Sequence, residues 1–389
     1  MPRICADVVR ILSGDIGATH SRFALYEAVP VPSDAAGPAA VPLKLLGDRV
    51  YKGSGYPSFN AVLQKLFTND ENGPALLDPA RPPDAAVIAP AGPVEGLPGD
   101  ECCRLANLPW HVRASDLREL LGTDRVRLIN DLEAHAWACL MPEAIAARPA
   151  LPGTARPGSP VAVVAAGTGF GKALLIRPGA CMPSGIDISV DCAAGRREGL
   201  ASLVQAAGCA ARAPAGDPPS VAQAAERCER ARVLPSEGGH AEFPFVGARE
   251  FEFAAFAAAR LGTDRLICDH IVTGSGLTHI LAFLGGPDVG PVEAAALCPR
   301  YPEVPEWYAR FYGRLCRNYV LDTMAMGGVY IAGGMAMRVN VLESPAFAAE
   351  FHADSFSSGL LREVPVFLVG NPNAGLFGAA FFGIVHFGG

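Results

Sequence analysis

Arg10-Ile-Leu-Ser-Gly-Asp-Ile-Gly-Ala-Thr-His-Ser-Arg-Phe-Ala-Leu-Tyr26 decides how the rest of the chain is read. An apolar run ends in small residues and a second apolar run follows at once, so the stretch reads as strand, tight turn, strand. Small residues let backbone N–H groups approach an anion, and the acid at Asp15 can hold a hydrated Mg²⁺ against phosphates. Val161-Ala-Val-Val-Ala-Ala-Gly-Thr-Gly-Phe-Gly-Lys-Ala-Leu-Leu-Ile176 has the same design. Two such turns can grip one polyphosphate from opposite sides.

Outward from these units, short buried-strand runs recur at 10–13 before Gly14, 85–89 before Pro90, 126–129 before Asn130, 161–166 before Gly167 and 329–332 before Gly333. Helical periods lie between them, which makes an α/β architecture the natural class. After Asp131, residues Leu132, Ala136, Cys139 and Leu140 share one helical face, so Asp131 sits where a strand gives way to a helix N-terminus. Open α/β sheets bind ligands at such places. Two segments break the alternation. Residues 30–41 read as a Pro- and Ala-rich surface connection, and 178–232 as a helical excursion with helical potential at 197–205 and 221–230.

The second unit alone stays ambiguous. Residues 166–172 nearly match a P-loop, but Ala173 stands where the Mg²⁺-binding Ser or Thr belongs. A dinucleotide site wants Gly-x-Gly-x-x-Gly, whereas Gly167, Gly169 and Gly171 are spaced by two throughout, and no βαβ unit separates them from Asp187. A plain hairpin turn is the third reading.

Composition narrows the function classes. A chain of 389 residues suggests two to three domains at about 150 residues each. With 32 Lys and Arg against 39 Asp and Glu, the net charge of -7 offers no basic stripe for nucleic acid. Half of the residues are hydrophobic and 18% are charged, so apolar surface is ample and disorder is excluded for most of the chain. Gly and Pro, 43 and 34 residues, imply an ordered protein with many turns. Arg3, Asp7 and Arg10 interrupt any apolar signal-peptide core, and 323–337 carries four glycines and is too short to span a bilayer. The eleven cysteines include no Cys-x-x-Cys, which points to free thiols in a reducing cytosol rather than disulfides or zinc.

In shared order, the motifs resemble the bacterial glucokinase family, within the actin-like superfamily of sugar kinases. They are Gly14-Asp-Ile-Gly-Ala-Thr19 with Arg22, Tyr56-Pro-Ser58, Ala91-Gly-Pro93, Asn107, Ile129-Asn-Asp-Leu132, Gly167-Thr-Gly169, Leu234-Pro-Ser-Glu-Gly-Gly-His240, Thr273-Gly-Ser-Gly276, Ile331-Ala-Gly-Gly334 and Asn371-Pro372. The resemblance implies a two-domain actin-like, ribonuclease H-like α/β fold with the active site in the interdomain cleft. A small domain is expected over 1–141 plus 371–389, and a large one over 142–370 with an insert at about 178–232. Asp131 matches the family's general base on the sugar 6-hydroxyl, and a carboxylate in reach of a hydroxyl can orient it and accept its proton. Asn107, Asn130, Glu237, His240 and Asp269 match sugar contacts. Gly14, Asp15, Ile16, Gly17, Ala18, Thr19, Gly167, Thr168 and Gly169 match the phosphate turns, Gly333 and Gly334 the adenosine contact, and Asp15 the Mg²⁺ position, through water. ATP, Mg²⁺ and glucose are the implied ligands, with a cytoplasmic homodimer and no nucleic acid or membrane partner.

The chain also departs from the family pattern. Ala18 replaces a glycine, which adds a methyl near the phosphates and excludes easy φ > 0. Asp269 replaces Glu and is one methylene shorter, which bears on sugar preference. Lys172 places a positive charge next to the second turn. A non-catalytic sugar binder, a kinase for another hexose and a donor other than ATP remain alternatives at this level.

Overall fold

The computed structural model describes residues 9–28, 43–105, 108–142, 144–177, 231–353 and 356–387. β1 (Val9–Ile16), β2 (His20–Ala28) and β3 (Leu43–Lys52) form an antiparallel meander. β4 (Ala85–Pro90), buried at every position, adds to β1 in parallel. The chain then makes a small antiparallel sheet of β5 (Val94–Glu95), β6 (Cys102–Arg104) and β7 (His111–Arg113). It returns in β8 (Val126–Leu128), parallel to β4, which completes the order β3-β2-β1-β4-β8.

The second large sheet repeats this scheme. After β9 (Ala147–Leu151), the meander is β10 (Val161–Ala166), β11 (Phe170–Ile176) and β12 (Arg232–Ser236). β13 (Val329–Ala332) and β14 (Val366–Val369) follow in parallel, and β9 closes the far edge in the order β12-β11-β10-β13-β14-β9. Strands buried on both faces read as unbroken apolar runs, which is why 161–166 and 329–332 were legible residue for residue.

β1 runs further than the expected 10–13. Gly14 is inside it, paired with Phe23 on one side and Ile88 on the other. A Cβ at Gly14 would lie 2.7 Å from Ile88 Cδ1 and 3.3 Å from Phe23, so the missing side chain admits its neighbours and the ladder continues to Ile16. The expected connection at 30–41 and the expected helices at 197–205 and 221–230 lie outside the described residues. The end of the 178–232 segment is the start of β12.

Two helices bring the sheets together. Asp131–Ala138 packs on β4 of the first sheet and on β10, β11 and β12 of the second, so it is apolar on more than the single face read from its sequence. The helix Ala374–Phe387 crosses it so closely that a Cβ at Gly378 would lie 1.8 Å from Ala134 O, and it also lies against β1 and β4. In the second half, the long helix Glu303–Thr323 buries Arg314 between Glu250 and Glu350 at 2.5 and 2.8 Å. Its Tyr308 hydroxyl donates to Val272 O at 2.6 Å. Among the described residues, no helix is long and apolar enough to cross a membrane, and all six cysteines are unpaired.

Candidate active site

The turn between β1 and β2 and the turn between β10 and β11 face each other across one cleft, with Thr19 Oγ1 3.3 Å from Thr168 Oγ1. The first turn closes through the Gly17 N–H, which donates to His20 O at 3.0 Å, and is backed by the Gly53 N–H donating to Thr19 O at 2.9 Å. Ala18 has no positive φ, so the methyl that replaces hydrogen there strains nothing in the turn. The second turn closes through the Gly167 N–H, which donates to Gly169 O at 2.9 Å. The cleft has a volume of about 420 Å³.

Asp131 enters this cleft from the first turn of its helix. Asn130, not Asp131, is the N-cap: its Oδ1 accepts from the Leu132 N–H at 2.9 Å, and its Nδ2 donates to Gly92 O at 3.0 Å. The Asn-Asp order thus leaves the cap to one residue and frees the next. Asp131 Oδ1 also accepts from the Leu132 N–H, at 2.9 Å, and the second oxygen is left for the cleft. Burial pushes the Asp131 carboxyl up to about 7, and the negative charge of Asp15 adds to the rise. His135 and the Leu132 N–H oppose it, while Glu237 adds a last push upward.

The opposite wall carries Glu237 and His240, half-exposed and exposed, whose side chains approach to 4.0 Å. Between them Gly238 and Gly239 are buried. A Cβ at Gly238 would meet Lys172 Cε at 2.0 Å, and one at Gly239 would meet Asp269 Oδ1 at 2.1 Å and Phe170 O at 2.3 Å. The backbone contact with Phe170 O makes Gly239 a required glycine, whereas at Gly238 the lysine side chain can move aside. Asp269 lines the same cleft, and its Oδ1 accepts from the Phe170 N–H at 2.7 Å. At the far end Gly333, with φ 88°, caps the helix Gly334–Arg338 against Ala166, while nothing lies within 4 Å of a Cβ at Gly334.

Of the residues expected from sequence, Asp15, Gly17, Ala18, Thr19, Asn130, Asp131, Gly167, Thr168, Gly169, Glu237, His240, Asp269, Gly333 and Gly334 line one cleft. Gly14 and Ile16 do not: Gly14 packs on Ile88 and Phe23, and Ile16 is wholly buried in the core of the first sheet. Their alternation with Asp15 along β1 turns them away. Asn107 lies outside the described residues. Lys172 corrects the sequence expectation, since its alternation along β11 sends the side chain away from the turn. Its ammonium lies 5.1 Å from the Tyr319 ring centroid, beneath Gly238, and does not line the cleft.

Sequence reasoning passed over His135. It lines the cleft one helical turn after Asp131, with Nδ1 2.9 Å from Asp131 O. Because that carbonyl can only accept, Nδ1 carries the proton. The i, i+4 spacing from Asp131 was the available signal.

The family model described as Glucokinase matches residues 12–184 and 220–384. The chain belongs to the glucokinase family. The glucokinase of Nostoc punctiforme is 25% identical over 402 residues, covering 95% of this chain and 97% of that protein. The glucokinase of Xanthomonas euvesicatoria pv. vesicatoria is 28% identical over 400 residues, with coverage of 96% and 95%. Among solved structures, the glucokinase from an Antarctic psychrotroph superposes with a TM-score of 0.64 at 22% identity, over 96% of this chain and 98% of that one. A ROK family glucokinase from Streptomyces griseus, solved with glucose and AMPPNP, gives 0.54 at 15% identity over 97% and 99%. At those identities the structural likeness is one of fold, the actin-like sugar kinase fold, and the repeated sheet order fits it.

Proposed function

We propose that this glucokinase-family enzyme transfers the γ-phosphoryl group of ATP to the 6-hydroxyl of D-glucose, with Asp131 as general base. One observation carries the reading: a half-buried carboxylate with a free oxygen shares a single cleft with two small-residue turns that face each other at 3.3 Å. The sugar donates hydroxyls to Glu237, His240 and Asp269. Asn130 keeps one amide N–H beyond the one donated to Gly92 O and offers it to the same ring. The triphosphate lies along the backbone of 17–19 and 167–169, and the adenosine against Gly333 and Gly334. As the 6-oxygen bonds to the γ-phosphorus, the bond from that phosphorus to the bridging oxygen breaks, ADP departs and the hydroxyl proton passes to Asp131.

Asp15 suits Mg²⁺, being a cleft carboxylate with hard oxygen ligands and no ion pair among the described residues. Bound with the nucleotide, Mg²⁺ offsets the negative charge of the β- and γ-phosphates. The free thiols support a cytosolic setting. The division at 1–141 with 371–389 and at 142–370 is supported by the two sheets of like order, and the homodimer implied by the resemblance is the assembly we propose. A coupled assay with ATP and a hexose panel tests the reaction: glucose is turned over best, and absence of turnover with any hexose overturns it. Glucose binding by isothermal titration without turnover would instead mark a sugar binder.

A further inference from the structure

Asp269 lines the cleft on the side of Glu237 and His240, yet its carboxylate is hydrogen-bonded to the residue that follows the second phosphate turn. Oδ1 accepts from the Phe170 N–H at 2.7 Å, and Phe170 directly follows Gly169. The same carboxylate fills the space beside two glycines: a Cβ at Gly169 would lie 3.4 Å from Oδ2, and one at Gly239 2.1 Å from Oδ1. One side chain therefore touches the turn at 167–169 and the Gly238–His240 turn together.

The other end of the phosphate turn is held by the same short segment. The Gly274 N–H donates to Gly167 O at 3.3 Å, and Thr273 Oγ1 donates to Asp269 O at 2.5 Å. The segment itself is anchored, since Tyr308 OH donates to Val272 O and the Phe170 ring packs edge-on against Tyr312 at 5.9 Å. The turn is thus pinned at Gly167 by the Gly274 backbone and at Phe170 by a carboxylate, and of the two pinning residues Asp269 lines the cleft while Gly274 does not.

We infer that Asp269 is a positioning residue that couples the sugar to the nucleotide, by clamping the second phosphate turn through Phe170 while its other oxygen takes a sugar hydroxyl. The shortness of Asp relative to Glu then has a use, because it keeps the carboxylate against the hairpin. A hydroxyl on Oδ2 removes rotational freedom from the side chain and fixes Oδ1 on the Phe170 N–H. The turn is then ordered before the triphosphate arrives. By linkage, nucleotide and sugar each tighten the other by the same factor. This inference rests on the kinase reading above.

The test is isothermal titration of full-length protein with AMPPNP and Mg²⁺, with and without glucose. Asp269→Ala removes the acceptor, so AMPPNP binding without sugar should weaken about ten-fold, and glucose should no longer tighten it. Asp269→Asn keeps a carbonyl acceptor for Phe170. Its sugar-free AMPPNP affinity should stay within about two-fold of wild type while the KM for glucose rises. Wild-type binding of AMPPNP combined with an unchanged affinity in Asp269→Ala overturns the inference and leaves the kinase reading standing. A wild-type chain that binds no AMPPNP overturns both. If Asp269→Ala fails to fold, hydrogen–deuterium exchange of wild type decides: glucose alone must slow exchange in the peptide containing Phe170, and unchanged exchange overturns the coupling.

Discussion

The turns at 17–19 and 167–169 occupy equivalent places in two sheets of like order, but they are supported differently. The first is held within its own sheet: Gly17 closes on His20, Gly53 at the end of β3 backs Thr19, and the acid Asp15 comes from its own strand. The second borrows its acid from Asp269, 99 residues beyond Phe170, and its other brace from Gly274. A turn supported within its own sheet is set once that sheet forms. A turn with borrowed support responds to whatever engages the distant residue, and in the proposed phosphate grip that makes one jaw fixed and the other adjustable.

The largest expected effect lies between the two jaws. Asp131→Asn keeps the size of the side chain but not its basicity, and should lower kcat by roughly 10² to 10⁴ while glucose binding stays nearly intact. Steady-state kinetics with a glucose titration checks this, and normal turnover removes the assignment. On the borrowed side, Gly239→Ala would drive a methyl into Asp269 and Phe170 O at 2.1 and 2.3 Å. Urea unfolding should show a loss of about 1–3 kcal/mol together with a raised KM for glucose.

The pH profile probes the base itself. Burial and Asp15 raise the Asp131 carboxyl to about 7, and the base works only when ionised. Below that pH, kcat/KM should fall by about ten-fold per unit, and a flat profile down to pH 5 would separate Asp131 from the proton transfer. The smallest effects belong to residues that looked disruptive in the sequence. Ala18→Gly, at a turn without positive φ, and Lys172→Met, whose ammonium lies over Tyr319, should each leave the KM for ATP within about two-fold. A large change in Ala18→Gly would mean that the first jaw is less self-sufficient than its hydrogen bonds imply, and one in Lys172→Met that the lysine charge reaches the second turn.

The same contrast explains what was legible. Buried strands such as 161–166 and 329–332 announce themselves as apolar runs, and the turns between them as clusters of small residues. The role of Asn130 as cap was hidden because Asn and Asp cap helices equally well, and only the backbone, extended at Asn130 and helical from Asp131, shows which of them does so. Lys172 misled because proximity in sequence to Gly169 says nothing about the side of β11 from which a side chain leaves. Gly14 and Ile16 misled for the same reason on β1. The Phe170–Asp269 bond was out of reach of any local pattern.

The helix Ala374–Phe387 carries a consequence for how the enzyme is made. It lies against β1 and β4, which are made well before it, and crosses the helix of Asp131 at the Gly378–Ala134 contact. During synthesis the first sheet and the catalytic helix therefore emerge long before their cover does. Their apolar faces must wait, exposed or guarded by chaperones, until this helix leaves the ribosome. A nascent chain that still lacks it holds its chemical groups without the packing that sets them.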